Sequence, residues 1–535
     1  MPSDDRPGAG RGTREAGAPP RGTTRPTGYA PAMPPRALLR RALAPLAAAA
    51  SALGLLGCGN HAPQNRPSVV SIFPADGAAL PGTVSYARVV YDERVRVLSD
   101  EGVHVSAQVD GDDEGVQVKV VLDPTDDHAV LVFPTENGHF PPNTEFNLVV
   151  SQAAVANMDD HYMLDEVSIH FTTGAPPNFF VTSSGAVHEI DRATGALVGT
   201  TNPPAGTVPH DAVGGDGRLW VWLDPVVPGA STLGTFVPGD ATITTFVPLS
   251  GAVGAEVGAR LLLSRDGRTL YAVGFDSGLS RVLVHRVDTQ SLAEVAPPAL
   301  LSIPVASAAD VFPPTVEEDR HRLYVPTSNP AGGSFLSAIS LGAFQEEDVG
   351  PLAGVDPLPV PSARGPIVWE PVVEALYMLD LASPIPAFTE IDADDLDLHA
   401  TTEPTLVGVP VSMIVTADGI NIVQGLSAFV PPDGLVETRA ADLEDGFPRA
   451  LSDDVGGVPH GATRVDVLLL DPFAEQFFAF ASNGASSVLA LYEYDEGDIS
   501  QVDLDTVTVG VQCLPVGAPG VVTAATTLTG ALPPP

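Results

Sequence analysis

Two five-residue segments carry the residues best suited to chemistry. Val208-Pro209-His210-Asp211-Ala212 and Val458-Pro459-His460-Gly461-Ala462 share a Val-Pro-His-x-Ala pattern and stand 250 residues apart. If the fold brings them together, two imidazoles and the Asp211 carboxylate could hold a divalent metal or act as a base near neutral pH. Against this, Pro-His-Gly and Pro-His-Asp are ordinary turn chemistry, and no third histidine shares the frame. Arg260, Arg364 and Arg464 recur in similar settings and would supply fixed positive charge; a one-residue slip in strand register would turn them to solvent instead. The densest acid cluster is Asp392-Ala393-Asp394-Asp395-Leu396-Asp397, which reads either as a solvated turn or as a Ca²⁺ loop liganded by Asp392, Asp394 and Asp395. Asp110-Gly111-Asp112-Asp113-Glu114-Gly115 copies the first half of a calcium loop, but the twelfth place is Val121 and the ligand ring cannot close. It reads as a hairpin loop between two strands. There is no nucleophile elbow, P-loop, HExxH or paired metal-ligand spacing. No catalytic residue is assigned, and no cofactor is implied beyond Ca²⁺ or another divalent cation.

One cysteine carries a different chemistry. Arg36-Ala37-Leu38-Leu39-Arg40-Arg41 is a basic run, and Ala42 to Gly57 follows without a charge. That apolar stretch is short for a membrane-spanning helix, which needs about 20 residues, and suits the core of a signal peptide. It ends in Leu55-Leu56-Gly57-Cys58, which resembles the lipobox of bacterial lipoproteins. The resemblance implies cleavage before Cys58, a diacylglyceryl group on its thiol and attachment to a membrane by several acyl chains. Gly59, in place of Asp, points to the outer rather than the inner membrane of the cell envelope. Met33 starts a conventional signal peptide, so the true start is Met1 or Met33. Cys513 is left alone and reads as a small buried apolar side chain.

Charge narrows the partners. Asp and Glu number 66 against 26 Lys and Arg, for a formal net charge of −40. Residues 1–57 hold eight of those bases and three of the acids, so the chain from Cys58 on carries 63 acids and 18 bases, a net −45. Such a surface repels phosphate backbones, which excludes nucleic acid as a partner, and offers no basic patch for anionic lipid headgroups. Lys119 is the single lysine among those bases. The arginine excess reads as coding bias and assigns no function.

The elements that must position these residues are all strands. From Arg66 to Gly174, alternating apolar runs at Val69–Phe73, Val84–Tyr91, Val103–Val109, Val116–Leu122, Ala129–Phe133, Glu145–Ser151 and Glu166–Thr172 are separated by turn residues. Seven short strands without a helical period predict a β-sandwich. The segments Val69-Val70-Ser71-Ile72-Phe73-Pro74-Ala75-Asp76-Gly77, Val90-Tyr91-Asp92-Glu93-Arg94-Val95, Phe140 to Val149 and His170-Phe171-Thr172-Thr173-Gly174 resemble the bacterial Ig-like domain of the SbsA type. The resemblance implies a spacer or adhesive module without catalysis.

From Pro176 to Leu532 the strand cores beginning at Phe179, Leu219, Leu270, Leu323, Leu376, Ile420 and Phe477 recur at a mean spacing of about 50 residues, the period of a propeller blade. A blade cannot bury both faces alone, so such repeats must close around an axis. The pattern predicts a β-propeller of seven blades, with six or eight as alternatives. No inner strand precedes Phe179 and a spare strand follows Pro515, so the C-terminal strand is predicted to become the innermost strand of the first blade. Ser264-Arg265-Asp266-Gly267-Arg268-Thr269-Leu270-Tyr271-Ala272-Val273 resembles the repeat of the YVTN/lactonase-like propellers, which implies a channel whose mouth takes ligands. Loops entering the inner strands would put His210, Asp211, Arg260, Arg364 and His460 at that mouth.

The sequence thus predicts an all-β chain: a leader and signal peptide over residues 1–57, a lipidated tether over 58–65, an Ig-like sandwich over 66–174 and a propeller over 176–532. The expected role is display of a propeller that binds a protein, peptide or glycan. The alternative is a lactonase-like or other metal-dependent hydrolase acting at the channel mouth.

Overall fold

The computed structural model describes the chain from Arg66 to Thr527, interrupted at short loops of which 251–259 and 503–513 are the longest. Cys58 and Cys513 lie outside the described residues. Those described are strands and turns, with one-turn 3-10 helices at Asp100–Gly102 and Ala308–Asp310. No helix among them is long and apolar enough to cross a membrane.

The first module is two sheets sharing one core. One sheet runs in the order Val69–Phe73, Ala87–Tyr91, Ala129–Pro134, Val118–Leu122; the other runs Ala78–Ala79, Val167–Thr172, Glu145–Val150, Val103–Val109, Asp112–Val116. Alternation along each strand puts Val89, Tyr91, Val130 and Val132 of the first sheet against Val105, Phe146, Leu148 and Phe171 of the second. Phe140, Phe146 and Phe171 form its centre, with ring centroids 5.1 to 5.4 Å apart. Two expectations need correction. Val116–Leu122 is two strands rather than one, because the chain leaves one sheet and enters the other at Gln117. Asp112–Val116, read as the end of a hairpin loop, is itself a strand paired with Val103–Val109, Asp112 facing Val109. Cross-strand backbone bonds outweigh the weak strand preference of its acids and glycine.

All six residues of Ala129–Pro134 are buried. One face of this strand meets the sandwich core, and the other carries Leu131 and Phe133 into a small cluster with Tyr86. Tyr86 lies beside Arg268 of the second module, and burial holds its hydroxyl protonated far above the usual tyrosine range. Asp123 sits at this joint with its side chain fully buried, accepting from Arg88 Nε at 2.8 Å and from Arg268 Nη1 at 2.7 Å. The two modules belong to one compact unit, Gln64–Pro535.

In the second module the described strands form antiparallel groups spanning residues 207–248, 260–304, 315–360 and 367–402, a nine-stranded sheet in which 409–450 and 464–515 meet through the single pair Ser427 and Arg464, a two-stranded ladder at 454–459, and one group made from both ends of the region. In that group Val522–Thr527 pairs with Phe179–Ser183, Phe179 facing Thr527 and Val181 facing Ala525. The C-terminal strand is therefore innermost, as predicted. Buried clusters join neighbouring groups around the whole series. Phe180 packs with Leu219, Trp220 with Leu270, Tyr271 with Leu323, Tyr324 with Leu376, Tyr377 with Ile422, and Val423 with Phe477. Phe478 then packs with Phe179, and the series closes on itself. This is a β-propeller. At the closing seam the rings of Phe179 and Phe478 lie 4.1 Å apart, and the Arg192 guanidinium rests 4.4 Å above Phe179 while pairing with Asp471.

Polar ties repeat between neighbouring sheets. Glu294 accepts from Ser250 N of the preceding group at 3.0 Å and meets His285 Nδ1 at 2.7 Å. One group later, Glu346 accepts from Ser302 N at 2.6 Å and from the Ser337 hydroxyl at 2.7 Å.

Candidate functional site

His210 owes its position to a bulge. In the inner strand Thr207–Gly215, Pro209 pairs with Leu223 and Asp211 with Trp222, leaving His210 out of the ladder between them. Pro209 supplies no N–H to the ladder, and a bulge re-aims the side chain of its extra residue. The partner strand Arg218–Pro225 closes with Asp224, which is 2% exposed. Its Oδ1 accepts from Trp222 Nε1 at 2.8 Å and from the Ser231 hydroxyl, and its Oδ2 lies 3.0 Å from His210 Nε2. Nε2 is turned to a buried carboxylate, which leaves Nδ1 as the ring nitrogen facing away from it. The His210 side chain remains 22% exposed.

Asp211 does other work. Its Oδ2 accepts from Leu261 N at 2.7 Å and its Oδ1 from Ala212 N at 3.0 Å, so the carboxylate stitches the inner strand of one group to that of the next. Burial pushes its pKa up to about 6, opposed by the charge of Arg260 and by those two backbone bonds. Each Asp211 oxygen thus accepts from one backbone donor, and the carboxylate sits at the seam between the two strands, one residue from His210. Arg260 opens the strand Arg260–Leu263 opposite Val273, half-buried and close enough to influence Asp211. Arg464 pairs with Asp466 at 2.8 Å and is half exposed. His460 and Arg364 lie outside the described residues, as do Asp394 and Asp395. Asp392 ends the strand Ala387–Asp392, half-buried and opposite Ala375.

Among the described residues one three-ligand grouping occurs elsewhere, at Asp126, Asp127 and His128 of the sandwich. Both acids already serve arginines, Asp126 with Arg88 at 2.6 Å and Asp127 with Arg94 at 2.7 Å. Their charge is spent within the protein.

Asp224 and Ser231 escaped the sequence reading, although a signal for Asp224 exists. A short polar residue stands at the end of the second strand, or one place before it for Asp224, along the series: Ser183, Asp224, Asp276, Ser328, Asp380, Ser427 and Ser482. Two of them hold nearby loops. Asp276 accepts from Gly278 N at 2.8 Å and Leu279 N at 3.0 Å, and Ser328 donates to Asp310 at 3.0 Å. In the second group this recurring position also meets an imidazole from the inner-strand entry.

Comparison with known proteins adds likenesses of fold. No family model and no curated protein matches the chain. Among solved structures it is similar to the periplasmic gluconolactonase of Pseudomonas aeruginosa, at 15% identity and a TM-score of 0.46, covering 66% of this chain and 100% of that one. It is also similar to a quinonprotein alcohol dehydrogenase-like protein of Bacteroides thetaiotaomicron, at 13% identity and a TM-score of 0.39, covering 86% and 99%. Hydrazine synthase of Kuenenia stuttgartiensis gives 12% identity and a TM-score of 0.39, covering 59% and 89%. The propeller assignment rests on this chain's own strand order and closing clusters.

Proposed function

We propose that this chain is an exported envelope lipoprotein, anchored through Cys58, that holds a seven-bladed propeller on an Ig-like sandwich and binds a protein, peptide or glycan at the end of the ring where His210 stands. The observation that carries this reading is the fixed joint at Asp123. Arg268 belongs to the turn between the first and second strands of its group, whereas Asp224 lies at the end of its second strand, beside the turn into the third. In an antiparallel sheet those turns lie at opposite ends. A sandwich fastened to one end leaves the other free for a partner, which suits a stalk better than a lid. The strongly acidic surface favours basic or neutral partners.

Two measurements test the reading. Metabolic labelling with a radioactive fatty acid is expected to mark the wild-type protein and not Cys58→Ser. Binding to peptide and glycan arrays is expected to be lost in His210→Ala. An unlabelled wild type overturns the anchor, and binding indifferent to His210 overturns the site.

A second reading is favoured by the His210–Asp224 pair itself. An imidazole oriented by a buried carboxylate could serve as a base or a metal ligand in a lactonase-like or other hydrolase that uses Ca²⁺ or another divalent cation. Hydrolysis of a lactone panel, dependent on added divalent cation and abolished by His210→Ala, would replace the binding role.

A further inference from the structure

The connection Met158–Leu164 of the sandwich spends large apolar side chains on solvent while being built as a fixed turn. Met158 is 70% exposed, Tyr162 55% and Leu164 50%. Among the described residues no other seven-residue stretch leaves three such side chains open. Buried Asn157 holds the turn, its Oδ1 accepting from Asp159 N at 3.0 Å and His161 N at 2.9 Å, and its Nδ2 donating to Glu93 at 3.2 Å. Gln152 Nε2 donates to Leu164 O at 2.8 Å, and Leu164 N donates to Pro67 O at 3.3 Å. Elsewhere on this module Tyr86, Leu131 and Phe133 are covered. The apolar turn is left open in the presence of the propeller.

Chain length says what covers it. The bond from Leu164 to Pro67 places the turn nine residues from Cys58, and nine residues span at most about 30 Å. Resting on the proposed lipid anchor, this means the turn cannot leave the neighbourhood of the bilayer, where tethering makes even a weak contact persistent. Tyrosine with its hydroxyl and flexible Met and Leu side chains suit the boundary between headgroups and acyl chains. The surrounding charges are mostly acidic, Asp159, Asp160, Asp165 and Glu166 against Arg66 and Arg96, with Arg96 paired to Asp160. An anionic headgroup layer would repel this surface, so the contact is apolar and its lipid zwitterionic.

We propose that the Met158–Leu164 turn is a membrane-contact surface that seats the sandwich on a zwitterionic bilayer beside the lipidated Cys58. The test uses the lipidated mature chain carrying Tyr162→Trp, reconstituted into phosphatidylcholine vesicles with or without bromine on the acyl chains. Trp220 and Trp222 are fully buried and Trp369 is half-buried, so the parent protein, which carries all three, is measured alongside to correct for background. Brominated lipid is expected to quench at least half of the added emission, and the quenching is expected to fall when phosphatidylglycerol is mixed in. Met158→Trp provides the same reading should the first variant fold poorly. Emission indifferent to bromine at both positions overturns the proposal, as does a concentration-dependent emission shift without vesicles, which would assign the turn to a second copy of the chain. Mass spectrometry of the membrane-extracted protein separates the causes. An unmodified Cys58 removes both the anchor and this contact, whereas a lipidated Cys58 with unquenched emission from the Tyr162→Trp variant removes the contact alone.

Discussion

In the sandwich one apolar cluster runs unbroken from Val84 to Phe171 through both sheets. In the propeller each cluster ends at the second of two neighbouring sheets and another begins, so seven separate seams replace a single core. The polar interactions divide the same way. Side chains of the sandwich mostly tie segments of that one module together, as Asn157 does with Glu93 and Asp76 with His170 N, whereas the propeller spends Glu294, Glu346, Asp211 and Arg192 on links between sheets. A sandwich buries its two faces against each other and is self-sufficient. A blade has a neighbour on each face, and the position of every neighbour must be specified. The difference teaches that losses in the sandwich should be concentrated, and losses in the propeller should be distributed around the ring.

The sharpest way to break that contrast is to open the sandwich core. Phe146→Ala removes a ring that touches both Phe140 and Phe171, and is expected to cost about 4 kcal/mol. Calorimetry should show a lowered sandwich transition with the propeller transition unmoved; a uniform shift of both would contradict independent cores. Asp123→Ala comes next. It removes the carboxylate that Arg88 and Arg268 share at a buried joint, leaving Arg88 its bond to Asp126, and is expected to cost about 3 kcal/mol. Its signature is a wider separation of the sandwich and propeller transitions, since the link between the modules is what it removes.

Asp211 supplies a pH test of the seams. Its folded pKa of about 6 lies above the ordinary carboxyl value, so the native state holds the proton more tightly than the unfolded chain. The associated stability is present below about pH 4 and is lost as pH rises through 6, by up to about 3 kcal/mol. Urea titrations should therefore show Asp211→Asn gaining on the wild type between pH 4 and pH 7. A constant difference between the two across that range would refute the assignment. The smallest effect belongs to Glu346→Ala, which frees Ser302 N and the Ser337 hydroxyl at one seam of seven. About 2 kcal/mol is expected, without loss of ring closure by small-angle scattering.

Much of this architecture could be read from residue order alone. Alternating runs such as Glu145–Val150 and Val167–Thr172 mark strands because each has one wet and one dry face. The unpaired start at Phe179 and the spare strand after Pro515 forced the closing pair, because a ring with an open first blade exposes two edges. What stayed hidden involves distance along the chain. Asp123 and Arg268 are 145 residues apart, and nothing local marks either as half of a joint. Asp224 lies close in sequence to His210, yet their meeting depends on the bulge at Pro209, which composition does not announce. The arginine excess looked like coding bias, but the fold uses the guanidinium fork repeatedly. Arg88 spans Asp123 and Asp126, and Arg286 donates to Leu341 O at 3.0 Å while lying 4.7 Å above Phe344. A lysine lacks the planar fork that both arrangements use.

The pairing of Val522–Thr527 with Phe179–Ser183 has a temporal side. The two strands that seal the ring are made at opposite ends of the propeller's synthesis, so the first blade waits with a bare flank until the whole remainder has been made. A polypeptide cut short anywhere before Val522 can assemble its middle sheets and still be left unsealed. The last strand to arrive thus works as a receipt for a finished ring, and a protease that attacks exposed strand edges could read its absence directly.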